Sequence, residues 1–213
     1  MPATATSIVD AATAEWDHWG RSTWNLITNR KKIGHTDDER QYARYALEKY
    51  CSVVGDTPSL DEIGNDIYFW SAVAISAIMR NAGFTKREFP FSNNHSVYIR
   101  AFVAARKTAD ATASYWGYRL LESAARPDVG DLIGYVRPDK KTSFEEAQAY
   151  FDRTRPYGGH TDIVVAKRSG EIDVIGGNVL DSVTKKTVPI DSNGLVADRS
   201  NLWFVVLKRK RTP

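Results

Sequence analysis

Apolar positions recur at helical intervals through the first half of the chain and at strand-like intervals through the second. Ile8, Ala11, Ala12, Trp16 and Trp19, then Tyr42, Tyr45 and Ala46, follow spacings of three and four, so the first fifty residues read as helical. The basic stretch Asn29 to Gly34 separates two such helices. Thr36, followed by Asp37, Asp38 and Glu39, supplies a cap and an acidic first turn for the second. Phe69 to Ala82 forms an apolar helix that Gly83 ends, and His95 to Asp110 forms another with Tyr98, Ile99, Phe102 and Val103 on one face.

After Tyr115 the period shortens. Leu132 to Val136, Ile163 to Val165, Ile172 to Ile175, Val183 to Ile190 and Leu202 to Leu207 are rich in β-branched or aromatic residues and are bounded by turn signals such as 168–171. Helices followed by about five adjacent strands predict an α+β fold with a mostly antiparallel sheet. An insertion from Pro138 to Gly159 carries a short helix at Phe144 to Phe151. Nothing reads as a linker or a repeat, so residues 1–213 are taken as one domain, with 1–60 a helical N-terminal extension.

Composition narrows the function classes. In 213 residues, 42% hydrophobic and 11% aromatic content exclude disorder over the whole chain. The balance of 29 Lys and Arg against 26 Asp and Glu leaves only +3. The basic tail 208–211 has no interleaved aromatic residues, so nucleic acid is not an expected partner. Cys51, the single cysteine, permits no internal disulfide and reads as a small apolar core residue. Ile67 to Met79 falls short of the ~20 residues needed to span a bilayer, so no membrane insertion is expected. No secretion leader is expected at the N-terminus, because Ser7 to Ala14 is short, carries Asp10 and has no basic residue before it.

Three local patterns occur in a telling order: Trp70-Ser71-Ala72 opening the helix that ends at Ala82-Gly83; Gly130-Asp131-Leu132 leading into a strand; and Gly159-His160-Thr161-Asp162-Ile163 leading into the next. This order resembles the papain-like superfamily of bacterial cell-wall amidases and endopeptidases, the NlpC and CHAP groups, over roughly Ile67 to Leu207. Adding His95 with Tyr98-Ile99 and Ile175-Gly176-Gly177-Asn178, the chain is similar to a bacterial domain family of unknown function with Trp-Ser-Ala at the nucleophile position. The resemblance implies a papain-like core over 61–213 and hydrolysis of peptidoglycan amide bonds. It requires no cofactor and no metal. Peptidoglycan or its stem peptides would be the partner, with an inhibitor protein as a further one. Delivery to the periplasm or cell wall would be by a secretion system or phage lysis.

The departure lies at the nucleophile, where the resemblance implies cysteine and the chain has Ser71. A cysteine can rest as a thiolate, whereas a serine must lose its proton during attack and needs a neutral histidine in reach. The resemblance makes His160 that base. Ser71 equally reads as a helix cap. Asp162, on the same strand face, or Asn178, at the end of the next strand, would orient the imidazole. His95 either lines the cleft beside Trp70 as a substrate-binding residue or caps its helix. His18 and His35 read as packing or solvent-facing, and Trp16, Trp19 and Trp24 as a core cluster. Two other readings compete: a module that keeps the groove to bind cell-wall peptides or a protein partner without catalysis, and a metal site on His160 and Asp162.

Overall fold

The computed structural model describes residues 3–138 and 140–210; Arg211 of the basic tail lies outside them. Helix α1 (Ala5–His18) starts at a capping box between Thr4 and Ser7. A hairpin of β1 (Ser22–Asn25) and β2 (Arg30–Lys32) follows, then α2 (Arg40–Tyr45), continued by a π turn at Ala46–Tyr50, and α3 (Leu60–Gly64). Helix α4 (Ser71–Asn81) is buried on nearly every side. Helix α5 (His95–Lys107) is capped by Asn94, whose side chain accepts from the Ser96 N–H. The remaining elements are β3 (Tyr115–Arg119), β4 (Leu132–Val136), α6 (Phe144–Ala147), β5 (Gly159–Arg168), β6 (Glu171–Val179), β7 (Ser182–Pro189) and β8 (Trp203–Arg209).

All eight strands form one mixed sheet in the order β2-β1-β7-β6-β5-β4-β8-β3. Every pairing is antiparallel except β1 with β7. The α+β class is as the periodicity predicts, and β4 has the predicted bounds. The sheet has three more strands than the five expected. The first sixty residues are therefore not a purely helical extension, since β1 and β2 extend the main sheet. Trp24 stands on β1 rather than on a helix. The second helix begins at Arg40, later than Thr36 suggests, and has no side-chain cap.

Two apolar layers sandwich the sheet. The larger packs α1, α4 and α5 against one face through residues such as Ile8, Val73, Ile78, Phe102, Ile163 and Phe204. The smaller, around Ile133, Val164, Val174, Trp203 and Val206, lies on the other face under the 3-10 turn at Ser123–Ala125 and the segment near Val196. Side chains alternate between these layers along each strand. Gly176 and Gly177, consecutive in β6, thus face opposite ways. A Cβ on Gly177 would sit 2.5 Å from Ala74 Cβ, so its absence lets α4 lie directly on β6.

Candidate active site

Trp70 occupies the N-cap position of α4, and Ser71 is the first helical residue. The Ser71 hydroxyl does not cap its own helix. Its Oγ lies 2.7 Å from Nε2 of His95, the first residue of α5. The other ring nitrogen, Nδ1, lies 3.0 Å from Thr161 Oγ1 and in hydrogen-bond contact with the Tyr98 hydroxyl; the two hydroxyls are 2.9 Å apart. Every member of this chain is buried.

The protonation of His95 decides what the pair can do. With the proton on Nδ1, donated to Thr161 or Tyr98, Nε2 accepts from Ser71 and the pair is arranged for proton removal. With the proton on Nε2, His95 donates to Ser71 and the hydroxyl is not activated. Hydroxyl partners accommodate either tautomer, because each can donate or accept. Burial holds the His95 pKa well below the ordinary histidine value, and His160, Arg137 and Lys186 depress it further, so the ring is neutral at neutral pH.

A second, charged group adjoins the first. Thr161 points toward α5, so by alternation its neighbours His160 and Asp162 face the other layer. There His160 Nε2 lies 3.2 Å from Asp162 Oδ1. Lys186 Nζ lies 2.7 Å from Asp162 Oδ2, an ion pair off the axis of a hydrogen bond. The ammonium also sits over the rings of Tyr135 and Trp203, 4.8 and 5.1 Å from their centroids. Gly176 makes room for the His160–Asp162 contact, since a Cβ there would fall 2.0 Å from Asp162 Oδ1 and 2.8 Å from His160 Nε2. At the surface, Arg137 places Nη2 3.4 Å from His160 Nδ1. The two histidine rings are 5.0 Å apart, centroid to centroid.

Burial depresses the His160 pKa to about 4 against the pull of Asp162. Burial works the other way on Asp162, but Lys186 and His160 outweigh it and bring that carboxyl down to about 2. The group therefore rests as a neutral imidazole, a carboxylate and, with Lys186, an ammonium. The Arg137 guanidinium and the acceptor Asp162 suit a His160 protonated on Nε2, with Nδ1 turned to Arg137.

The structure brings together Ser71, His95, His160 and Asp162, in an arrangement other than the expected one. His95, not His160, holds the Ser71 hydroxyl, and Asp162 serves the other imidazole. Asn178 contacts neither ring by a hydrogen bond; it sits buried at φ 51° with its amide nitrogen unpartnered among the described residues. Trp70 is fully buried, stacked on Trp19 at 4.7 Å, and donates through Nε1 to Asp37 Oδ2 at 2.6 Å, so it supports the start of α4 and shows no face to a ligand. Lys186 completes Asp162 with a fixed positive charge, so a metal ion there would meet an ammonium at close range. His18 and His35 pack on tyrosines, as expected, and Cys51 is buried with its thiol pKa pushed up to about 11 by burial.

Sequence reasoning missed Lys186, Thr161 and Tyr98 as site residues. Lys186 carried a signal, for it shares a strand parity with the buried Thr184 and Val188, where an apolar residue is the norm. The adjacent glycines of β6 carried another, since paired glycines in a strand mark close approach on both faces.

Fold and site together define an α+β protein with a buried serine–histidine pair where two helix N-termini meet a mixed sheet. Residues 21–209 match the model of a bacterial family described as "Uncharacterized protein conserved in bacteria (DUF2272)", and the chain belongs to that family. The matched span contains Ser71, His95, His160, Asp162 and Lys186. No curated protein and no solved structure matches the chain.

Proposed function

We propose that the protein is a serine hydrolase of papain-like architecture that cleaves amide bonds in the peptides of bacterial peptidoglycan, with Ser71 as nucleophile and His95 as base. The observation that carries this reading is the 2.7 Å contact between Ser71 Oγ and His95 Nε2 at the first turn of α4. In the reaction, Oγ attacks the carbonyl carbon as its proton passes to Nε2. The developing oxyanion falls to the N–H groups of the first turn of α4, which have no side-chain cap. His95 returns the proton to the leaving amine as the C–N bond breaks, and water then hydrolyses the acyl-enzyme through the same imidazole. The papain-like ordering of the motifs supports the substrate class. So does the charge of the site, where Arg137 and Lys186 face the single carboxylate of Asp162, a surplus that favours peptides bearing free carboxylates.

A specific observation favours a second reading. Ser71 and His95 are each 3% exposed, and His95 has hydroxyl partners where a strong base would have a carboxylate. A groove that binds cell-wall peptides without cleaving them fits those facts. Product release from purified peptidoglycan, together with labelling by a fluorophosphonate, separates the two. The hydrolase reading expects labelling of Ser71, loss of both signals in Ser71→Ala and His95→Gln, and retained activity in Ser71→Cys. Wall binding by the wild type with neither label nor product would replace the enzyme with the binding module.

A further inference from the structure

Charge is segregated on this molecule. Beyond the end of α1, the helix-side face of the sheet runs on uncovered across β2, β1 and β7 and forms a groove of about 340 Å³. Pairing registers place Lys32, Thr23 and Lys185 in one cross-strand row and Arg30, Asn25 and Thr187 in the next. This face thus carries three cations, Arg30, Lys32 and Lys185, none of them in an ion pair among the described residues, while Lys31 turns to the opposite face with its cross-strand partner Trp24. The groove's carboxylate, Asp173, is already held by both terminal nitrogens of Arg168 at 2.8 Å.

Edge-strand protection alone would account for the charges on β2, where lysines discourage pairing with another sheet. It does not account for Lys185, which stands on an inner strand. Nor does it account for the tryptophan that holds that lysine, since Lys185 Nζ is 3.7 Å from the Trp16 ring centroid. An ammonium group pinned on an aromatic ring loses less freedom when an anion arrives, so this part of the surface is pre-arranged for one. Neighbouring strands are ~4.8 Å apart and alternate residues of a strand ~6.7 Å apart, so the cations form a lattice a few ångströms in pitch with hydroxyl and amide groups between them.

We propose that this groove binds a linear phosphodiester polymer of a polyol, such as poly(glycerol phosphate). Repeating single negative charges match the lattice of cations, and the Thr23, Thr187 and Asn25 side chains match the polyol hydroxyls. Nucleic acid shares the phosphodiester but draws on base stacking against free aromatic faces. Here Lys185 occupies a face of Trp16, and Trp24 stands on the other side of the sheet. The site is independent of Ser71 and His95 and stands whether or not the chain hydrolyses the wall.

The test is calorimetric titration of the full chain with synthetic poly(glycerol phosphate) and with oligothymidylate of equal phosphate number, at low and moderate salt. The expected result is binding of the polyol phosphate that weakens about 10-fold or more as salt rises, with weaker binding of oligothymidylate. The Arg30→Gln/Lys32→Gln variant should lose at least about 10-fold in affinity, and Lys185→Gln alone, which leaves the edge hairpin intact, about threefold. Lys86→Gln/Arg87→Gln, which removes two exposed charges elsewhere, should bind as wild type. No binding at low salt, equal loss in both double variants, or an unchanged Lys185→Gln would overturn the proposal. Tighter binding of oligothymidylate would make the groove a nucleic-acid surface instead.

Discussion

The two buried histidines, whose rings lie 5.0 Å apart, are held by opposite means. His95 is surrounded by hydroxyls, those of Ser71, Thr161 and Tyr98, each able to donate or accept. His160 lies between the carboxylate of Asp162 and the guanidinium of Arg137, whose roles cannot reverse. Both rings are neutral at neutral pH, yet only the hydroxyl-held one can move its proton from one nitrogen to the other without breaking a charged contact. The difference teaches why the proposed chemistry is placed on His95. A base must change protonation state during turnover, and His160 is locked into one. The charged group serves instead as a rigid support, with Lys186 anchoring Asp162 from the far side.

The largest effect should come from removing that anchor. Lys186→Met leaves the fully buried Asp162 carboxylate without its ammonium and should cost about 3–5 kcal/mol in urea unfolding. The double variant Lys186→Met/Asp162→Asn should recover much of it, since no uncompensated charge then remains. A full loss in the double variant would mean that shape, not charge, is what Lys186 contributes.

Acid should unfold the protein through the same group. The unfolded chain takes up a proton on His160 near the ordinary value of 6.5, the folded chain only near 4, so the unfolded state binds more protons between these values. Stability therefore falls as pH drops from about 6.5 to about 4, by roughly 3 kcal/mol from this residue, and His95 adds loss of the same sign. Asp162, depressed to about 2, contributes a further loss between about 4 and about 2. His160→Gln should shrink the first loss; an unchanged unfolding curve from pH 7 to pH 4 would show that His160 is not held neutral.

The paired glycines sharpen the comparison because they address one region each. Gly176→Ala drives a methyl into Asp162 and His160, and Gly177→Ala drives one into Ala74 and Trp70 beneath α4. Each should destabilise by about 1–3 kcal/mol. Only Gly177→Ala should displace the Ser71 hydroxyl from His95, seen as a change in the His95 ring nitrogen resonances. The smallest effects belong to the hydroxyls themselves. Thr161→Val or Tyr98→Phe removes one of two partners on His95 Nδ1 and should cost about 1 kcal/mol, while the combined change should exceed the sum. The same resonances should then show the ring moving toward the Nε2 proton. Simple additivity would mean that only one hydroxyl supports Nδ1.

Much of the scaffold was legible without coordinates. The strands β4 to β8 announce themselves by runs of β-branched and aromatic residues, and α4 by an apolar run from Ala72 to Met79, broken at Ser76 alone, with Gly83 as its stop. Three strands escaped: Ser22–Asn25 has four residues, Arg30–Lys32 has three charges and no apolar side, and Tyr115–Arg119, although aromatic, stands where the period changes. The first two are strands because β7 offers β1 a parallel partner, a fact stored 160 positions away in the Ser22–Ser182 contact.

For the site, local pattern determined which residues were worth attention, since serine at a helix start and histidine before a strand or helix are visible in a one-dimensional reading. Tertiary structure alone decided the pairing. Ser71 and His95 lie 24 residues apart, on two helices whose N-termini converge only because the sheet holds both. His160 met Asp162 because alternate strand residues share a face and Gly176 of β6 leaves room for their contact, and Asp162 met Lys186 because β7 brings that ammonium to its other oxygen. Hydrogen bonds and ion pairs act over a few ångströms, so residue types can nominate partners, but only the packing that sets those distances can choose among them.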